Sequence, residues 1–424
     1  MKSKTLLTWR QALIHAIKWL YPGMQVKRWI LLCALGISLI GLGSVKALSG
    51  NGTVAMAWGA LLMFIGVIGV VMGIKLMVNS FVTILLPQRG KELVDIVYRK
   101  RHLEKGPKIV VIGGGTGLSV LLHGIKEHTS NTTAVVAVAD DGGSSGRLRQ
   151  EFDVIPPGDI RNCLVALADA EPLMRELFQY RFSSGSGLDG HNFGNLFITA
   201  LSQVTGDFEK ALKESSRVLA IRGKVIPSTL NKVGLVAEYE DGTTTYGETN
   251  ITATTTRGPI KRVHLQPEDC RASSEAIEAI EQAETIVLGP GSLFTSVLPN
   301  LLVRDIREAI NRSLALKVYV CNVMTQFGET HQYTASDHVK ALFGHGELEK
   351  IDYCIVNTGI VPQAMRTKYE MEKAYPVIVD SGVIRKMHVQ IVEEEVINTV
   401  DYVRHDASKL TRIIMELILS ARYG

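Results

Sequence analysis

Acidic residues are missing from the first 91 positions: no Asp or Glu precedes Glu92, although Lys and Arg occur there ten times. The remaining 36 basic residues therefore face all 42 acidic ones, and the rest of the chain is net negative. That balance excludes a basic nucleic-acid-binding surface spread over the whole protein. Cysteine is scarce, with Cys33, Cys163, Cys270, Cys321 and Cys354 scattered and without CxxC spacing. A disulfide scaffold is excluded, as is zinc held at finger-like spacing, and reduced thiols in the cytoplasm are expected. No repeat of solenoid period is visible.

The acid-free region holds the long apolar runs. Trp29–Val45 and Ala47–Ile74 are uncharged, and a helix needs about 20 apolar residues to cross the hydrocarbon core. Between them Lys46–Thr53 contains Ser-Gly-Asn-Gly, a turn signal, so the runs read as a helical hairpin. Gly36, Gly41, Gly43, Gly66, Gly69 and Gly73 supply small residues for close helix approach. Basic residues flank the hairpin on both outer sides and only Lys46 lies in the loop, which places both chain ends in the cytoplasm. Residues 1–28 form a basic amphipathic lead-in and 29–86 the hairpin, with Val78–Leu86 leaving the bilayer as an interfacial helix. Residues 87–107 form a charged helical linker, and 108–424 one α/β domain.

Beyond Lys108 short β-branched runs end in Gly-, Asp- or Asn-rich loops and helical patterns follow. Strands are expected at Lys108–Ile112, Thr133–Ala139, Thr285–Leu288, Leu316–Cys321 and Tyr353–Val356, with helices such as Leu118–Glu127 and Val303–Leu314. This is the pattern of a doubly wound, mainly parallel sheet. Gly234–Leu265, rich in Thr and Val with little helical character, reads as a β insertion with a hairpin turn at Glu240-Asp241-Gly242.

The first strand runs into Gly113-Gly114-Gly115-Thr116-Gly117-Leu118-Ser119 and then a helix, whose free N–H groups suit phosphate. A dinucleotide fingerprint fails, because its last glycine would fall on Leu118 or Val120, and no Lys completes a Walker A loop. An NAD-dependent oxidoreductase is set aside on that ground. The second strand ends in Asp140 and Asp141, which could hold Mg²⁺ or act as base, followed by Ser144, Ser145 and Arg147 as donors to an anion. Asp159, Arg161 and Asn162 open a helix after Pro156-Pro157-Gly158, and a loop closes at His191 and Asn195. His191 reads equally as a proton carrier or an ordinary loop histidine. Gly289, Gly291 and Ser292 repeat the first loop's logic as a second anion site, and Asn322 and Tyr333 follow the next strand. Ligands bind at strand C-termini in open α/β sheets, where most of these loops converge.

The segments VVIGGGTGLSVLLHGIK, VADDGGSSGRLR, PPGDIRN, GHNFGNL, GPGSLFTSVLPNLLV, CNVMTQFGET and YTASDHV, in this order, resemble the YvcK-like gluconeogenesis factor family. That family is a sibling of the CofD 2-phospho-lactate transferases, and the similarity runs from about Lys108 to Leu417. The resemblance implies a Rossmann-like fold, a homodimer, binding of UDP-sugars such as UDP-N-acetylglucosamine, and a role in growth and cell shape on gluconeogenic carbon sources. It also implies that Gly114, Thr116, Asp140 and Asp141 line the substrate pocket. In the CofD transferases a phospho-lactyl group moves from a guanylate donor to a deazaflavin; GGSSGR after the acids departs from that branch. The expected function is a membrane-tethered, nucleotide-sugar-binding regulator. The alternative is a Mg²⁺-dependent CofD-type transferase of phosphorus-containing groups.

Overall fold

A computed structural model describes residues 26–49, 52–85, 101–185, 187–253, 258–400 and 402–423. The chain divides into two units, Met1–Arg101 and His102–Gly424. Most of the expected lead-in and linker, residues 1–25 and 86–100, lies outside the described residues.

In the first unit α1 (Val26–Ser49) and α2 (Thr53–Leu85) pack antiparallel. Both are long and apolar enough to cross a membrane. No acid or proline interrupts either, and α2 runs unbroken through Leu85, so the stretch expected as an interfacial helix is continuous with the second apolar helix. The helices meet on glycine. A Cβ on Gly36 would sit 2.7 Å from the Gly66 carbonyl oxygen, and one on Gly43 would sit 2.7 Å from that of Gly59. These pairs are seven residues apart on both helices, the repeat of shallow-angle packing, and Gly73 continues the series against Cys33. Gly69 borders the seam, where a Cβ would lie 3.6 Å from the Gly36 Cα, but Gly41, also expected there, has nothing within 4 Å of a Cβ. Large apolar side chains such as Leu31, Ile37, Trp58 and Phe64 point outward. Small residues inside and large apolar ones outside is the arrangement of a lipid-facing pair.

The second unit is built on seven parallel strands: β1 (Ile109–Gly113), β2 (Thr132–Val136), β3 (Lys224–Pro227), β7 (Thr285–Leu288), β8 (Leu316–Val320), β9 (Tyr353–Asn357) and β10 (Gln390–Glu394). Their order is β10-β9-β8-β7-β1-β2-β3. Val111 of β1 pairs with Ala134 of β2 and Val287 of β7, all fully buried, as expected of strands covered on both faces. The edge strands β3 and β10 are additional to the sequence expectation. The insertion is a three-stranded antiparallel sheet of β4 (Gly234–Tyr239), β5 (Thr244–Tyr246) and β6 (Ile260–Gln266). Its turn falls at Glu240-Asp241-Gly242, with Gly242 at φ +82°. The insertion also carries a short helix, Glu248–Ala253, where little helical character was expected.

The helices that frame the site are α3 (Gly115–Ile125) after β1, α4 (Gly143–Phe152) after β2, α5 (Gly158–Leu167), α6 (Phe193–Thr205), α7 (Glu248–Ala253), α8 (Gln363–Met371) and the C-terminal α9 (Ala407–Tyr423). Leu118, Leu121, Leu122 and Ile125 of α3 are buried in the main core. Gly124 on α3 lets α9 approach closely, because a Cβ there would lie 2.6 Å from the Ala407 carbonyl oxygen. That contact brings in the short antiparallel pair β11 (Ile397–Asn398) and β12 (Arg404–His405), which immediately precedes α9.

Candidate functional site at the switch point of the sheet

From β1 the chain moves one way to β2 and β3, and from β7 it moves the other way to β8, β9 and β10. The crevice beyond the C-termini of β1 and β7 is therefore the topological switch point, where open α/β sheets bind ligands. Both glycine loops rise from these strands and pack backbone to backbone. A Cβ on Gly117 would lie 2.8 Å from the Pro290 carbonyl oxygen, and one on Gly291 would lie 3.1 Å from that of Gly114. Gly115 has φ +66°, a conformation that favours glycine. Here a cavity of about 310 Å³ opens, with Thr116 and Gly117 on one wall, Ser292 and Asn322 on another, and Glu248, Arg404 and His405 completing it.

The two loops are not equivalent. The Gly115 N–H donates to Asp159 Oδ2 at 2.7 Å. The amides of Thr116 and Gly117, in the first turn of α3, have no acceptor within the helix, and both residues line the cavity. In the second loop the Phe294 N–H donates to Glu329 Oε2 at 3.3 Å, and the Thr295 hydroxyl donates to Glu329 Oε1 at 3.2 Å. A buried carboxylate thus caps the turn expected to be a second anion site.

Acids dominate the surroundings. Burial pushes Asp159 up to about 6, aided by the Asp140 carboxylate and opposed by the Gly115 N–H and Arg161. Burial raises Glu329 to about 7. It raises Glu248 to about 9, reinforced by the charges of Asp140, Asp159, Glu329 and Asp141, so Glu248 is a neutral donor at pH 7. Asp140 is also raised by burial. Arg161 lies among these acids with Nη2 donating to Asn162 Oδ1 at 2.6 Å, and burial lowers it to about 10. His405 is lowered to about 4 by burial and donates its Nε2–H to the Cys321 carbonyl at 3.2 Å.

Asp140 and Asp141 make different hydrogen bonds, although the Asp141 charge helps to raise Asp140. Asp141 Oδ1 accepts from both the N–H and the hydroxyl of Thr249, each at 2.9 Å, and so fastens the insertion to the domain. Asp140 Oδ1 accepts the Gly142 N–H at 2.9 Å, and its electrostatic neighbours include Asp159 and Glu248. Among the described residues no three His, Cys, Asp or Glu side chains converge to hold a metal. The Oδ1 atoms of both acids are engaged, so a Mg²⁺ shared by Asp140 and Asp141 would be met by their Oδ2 atoms.

Of the other expected residues, Gly115, Thr116, Gly117, Gly291, Ser292 and Asn322 line the cavity, with Gly113, Gly114 and Gly289 in the backbone beneath. Ser144 and Ser145 are buried against His191 Nδ1 (3.2 Å) and Asn195 Nδ2 (3.4 Å), tying α4 to the start of α6. Burial and the charges of Arg147 and Arg181 lower His191. Arg147 was expected on a ligand but donates to the Asp189 carbonyl at 2.7 Å and does not line the cavity. Ser119 and Asn162 line a neighbouring hollow of about 450 Å³ beside α3. Tyr333 packs against Phe294 and His338, away from the cavity wall. Glu248, Arg404 and His405 were not foreseen. They come from the insertion and from a short strand near the C-terminus, and neither carries a glycine signature.

A family model, 2-phospho-L-lactate transferase CofD, matches residues 109–397. The gluconeogenesis factor of Bacillus subtilis is 49% identical over 313 residues, covering 74% of this chain and 98% of its own. A relative from Nostoc sp. is 44% identical over 428 residues, covering 96% of this chain and 93% of its own. The crystal structure of a Bacillus halodurans protein, 49% identical, superposes with a TM-score of 0.71 over 73% of this chain and 99% of that one. The parallel sheet, the glycine loops at its switch point and these likenesses agree, and the chain belongs to the gluconeogenesis factor family within the CofD group.

Proposed function

We propose that this protein is a membrane-tethered regulator that binds a nucleotide sugar, such as a UDP-sugar, in the switch-point cavity and serves growth and cell shape on gluconeogenic carbon. The observation that carries this reading is that Thr116 and Gly117, whose first-turn amides have no acceptor within the helix, line a cavity between two glycine loops. A diphosphate satisfies such amides and the helix dipole behind them. Two apolar helices precede the domain, and the basic residues flanking them favour both ends on the cytoplasmic side, with the hairpin in the inner membrane. The domain is expected to pair as a homodimer. Isothermal titration of UDP-N-acetylglucosamine into the full-length chain tests the reading; absence of binding at millimolar ligand would overturn it. A periplasmic reporter fused after Gly424 is expected to be inactive.

The CofD family match supports a second reading, a transferase of phosphorus-containing groups. In that case the neutral Glu248 and the Asp140–Asp159 pair beside the loop would handle the proton at the acceptor. Turnover of a nucleotide-linked donor separates the two readings, since the regulator binds its ligand unchanged.

A further inference from the structure

We infer that the hollow beside α3 is the sugar subsite of the bound ligand, reached past Val120 from the amides that take the diphosphate. This rests on the nucleotide-sugar reading and assigns the hexose its place.

A nucleotide sugar has three parts, and the switch-point cavity is small for all of them. Its volume of about 310 Å³ lies at the lower end of the range for small-molecule sites, roughly 300–1,000 Å³. The neighbouring hollow adds about 450 Å³. The two share a border: Val120 lines both, and the chain passes from the cavity wall at His405 to the hollow at Ala407. Ser119 stands close to one turn beyond Thr116 on α3, so the hollow begins beside the first-turn amides.

Three helices build the hollow, each with a pair of residues one turn apart. Ser119 and His123 come from α3, Asn162 and Ala166 from α5, and Arg175 and Gln179 from the helix Pro172–Gln179. The polar groups suit hydroxyls better than a second anion. Asn162 Oδ1 accepts from Arg161 Nη2 at 2.6 Å, which leaves the Nδ2 hydrogens to donate. The Ser119 hydroxyl donates to the Thr116 carbonyl at 2.8 Å and so offers its lone pairs. Burial, with the Lys126 and Arg175 charges, holds His123 below its ordinary value, and its neutral imidazole carries one donor and one acceptor at pH 7. Arg175 and Glu176 line the hollow together, so their charges offset and a phosphate gains little there. Val120, Val165 and Pro172 supply apolar surface. A hexose presents an apolar ring face and a rim of hydroxyls, and this combination matches it. A base does not match: no Phe, Tyr or Trp among the described residues lines the hollow, whereas Val323 and Met324 give apolar surface in the cavity itself.

The test is isothermal titration of the full-length chain in neutral detergent with UDP-N-acetylglucosamine and, separately, with UDP. The quantity read is the ratio of the two affinities, with the wild-type ratio as reference. Gln179→Ala removes one partner of the sugar and is expected to lower that ratio about threefold, the effect of one hydrogen bond. Glu176→Trp, at an exposed position on the rim, fills the hollow and is expected to lower it about tenfold or more. A merely structural role would weaken both probes together and leave the ratio where it was. Melting curves check that each variant is folded; if Glu176→Trp is not, Gln179→Ala carries the test. A ratio unmoved by the folded variants overturns this proposal and leaves the proposed function standing. If the wild-type chain binds UDP alone, or neither probe, both fall.

Discussion

Glycine serves opposite ends in the two units. In the hairpin Gly36, Gly43, Gly59 and Gly66 are buried, and each lets the facing backbone come closer than any side chain would allow. In the α/β domain Gly114, Gly117 and Gly291 also bring two backbones together, but the space beside them stays open as a cavity. The first use closes a seam and the second holds a seam open at one end. What separates them is the surroundings: the large apolar side chains around the hairpin provide no polar partner, whereas α3 presents unpaired amides at its start.

The largest effect is expected in the hairpin. Gly66→Leu places a side chain where a Cβ already lies 2.6 Å from the Gly36 carbonyl oxygen, and loss of the helix pairing is expected. Gly41→Leu, with nothing within 4 Å, is expected to leave it intact. Cross-linking between cysteines introduced on the two helices reads the difference, while ligand binding by the α/β domain should survive both changes.

Next in size is Gly117→Val. Its Cβ would press on the Pro290 carbonyl from 2.8 Å and fill the cavity mouth. A loss of ligand affinity of about a hundredfold is expected from removing two charge-assisted backbone contacts, measured by titration alongside a melting curve.

Asp141→Ala removes the acceptor of two Thr249 hydrogen bonds. A stability loss of about 1 kcal/mol is expected by denaturant unfolding, because the Thr249 donors are exposed and water replaces much of the lost acceptor. Affinity should change less than in Asp140→Asn. The opposite ranking would restore the adjacent acids as the working pair.

The smallest effect concerns pH. Asp159, Glu329 and Glu248 have folded-state values raised to about 6, about 7 and about 9. The folded protein therefore binds more protons than the unfolded chain above the ordinary carboxylate range. Stability is fully present below that range and declines as pH rises through these values. His405, lowered to about 4, acts the other way between about pH 4 and its ordinary value. The melting temperature should fall between pH 7 and 9, and Glu248→Gln should flatten that fall. An unchanged slope would show that Glu248 is not the group titrating.

Much of this fold is legible in the sequence, for physical reasons. The central strands β1, β2, β7, β8 and β9 are buried on both faces and read as continuous β-branched runs. The edge strands β3 (KVIP) and β10 (QIVEE) carry exposed polar residues and lack that run, so only pairing reveals them. The glycine loops are legible because positive φ and close backbone approach require glycine. Glu248 and Arg404 are not, since an ordinary acid and an ordinary base acquire a role only when the insertion and β12 reach the cavity. Asp140 and Asp141 show the limit of adjacency: Asp141 is hydrogen-bonded to Thr249 of the insertion, whereas Asp140 also acts on Asp159 at the glycine loop, far away in sequence.

The central claim is that the switch-point cavity holds a diphosphate on the amides of α3. A crystal structure of the full-length chain grown with UDP-N-acetylglucosamine tests it most directly. Phosphate oxygens are expected within hydrogen-bond distance of the Thr116 and Gly117 amides. Ligand density seated elsewhere, with those amides facing only solvent, would contradict it.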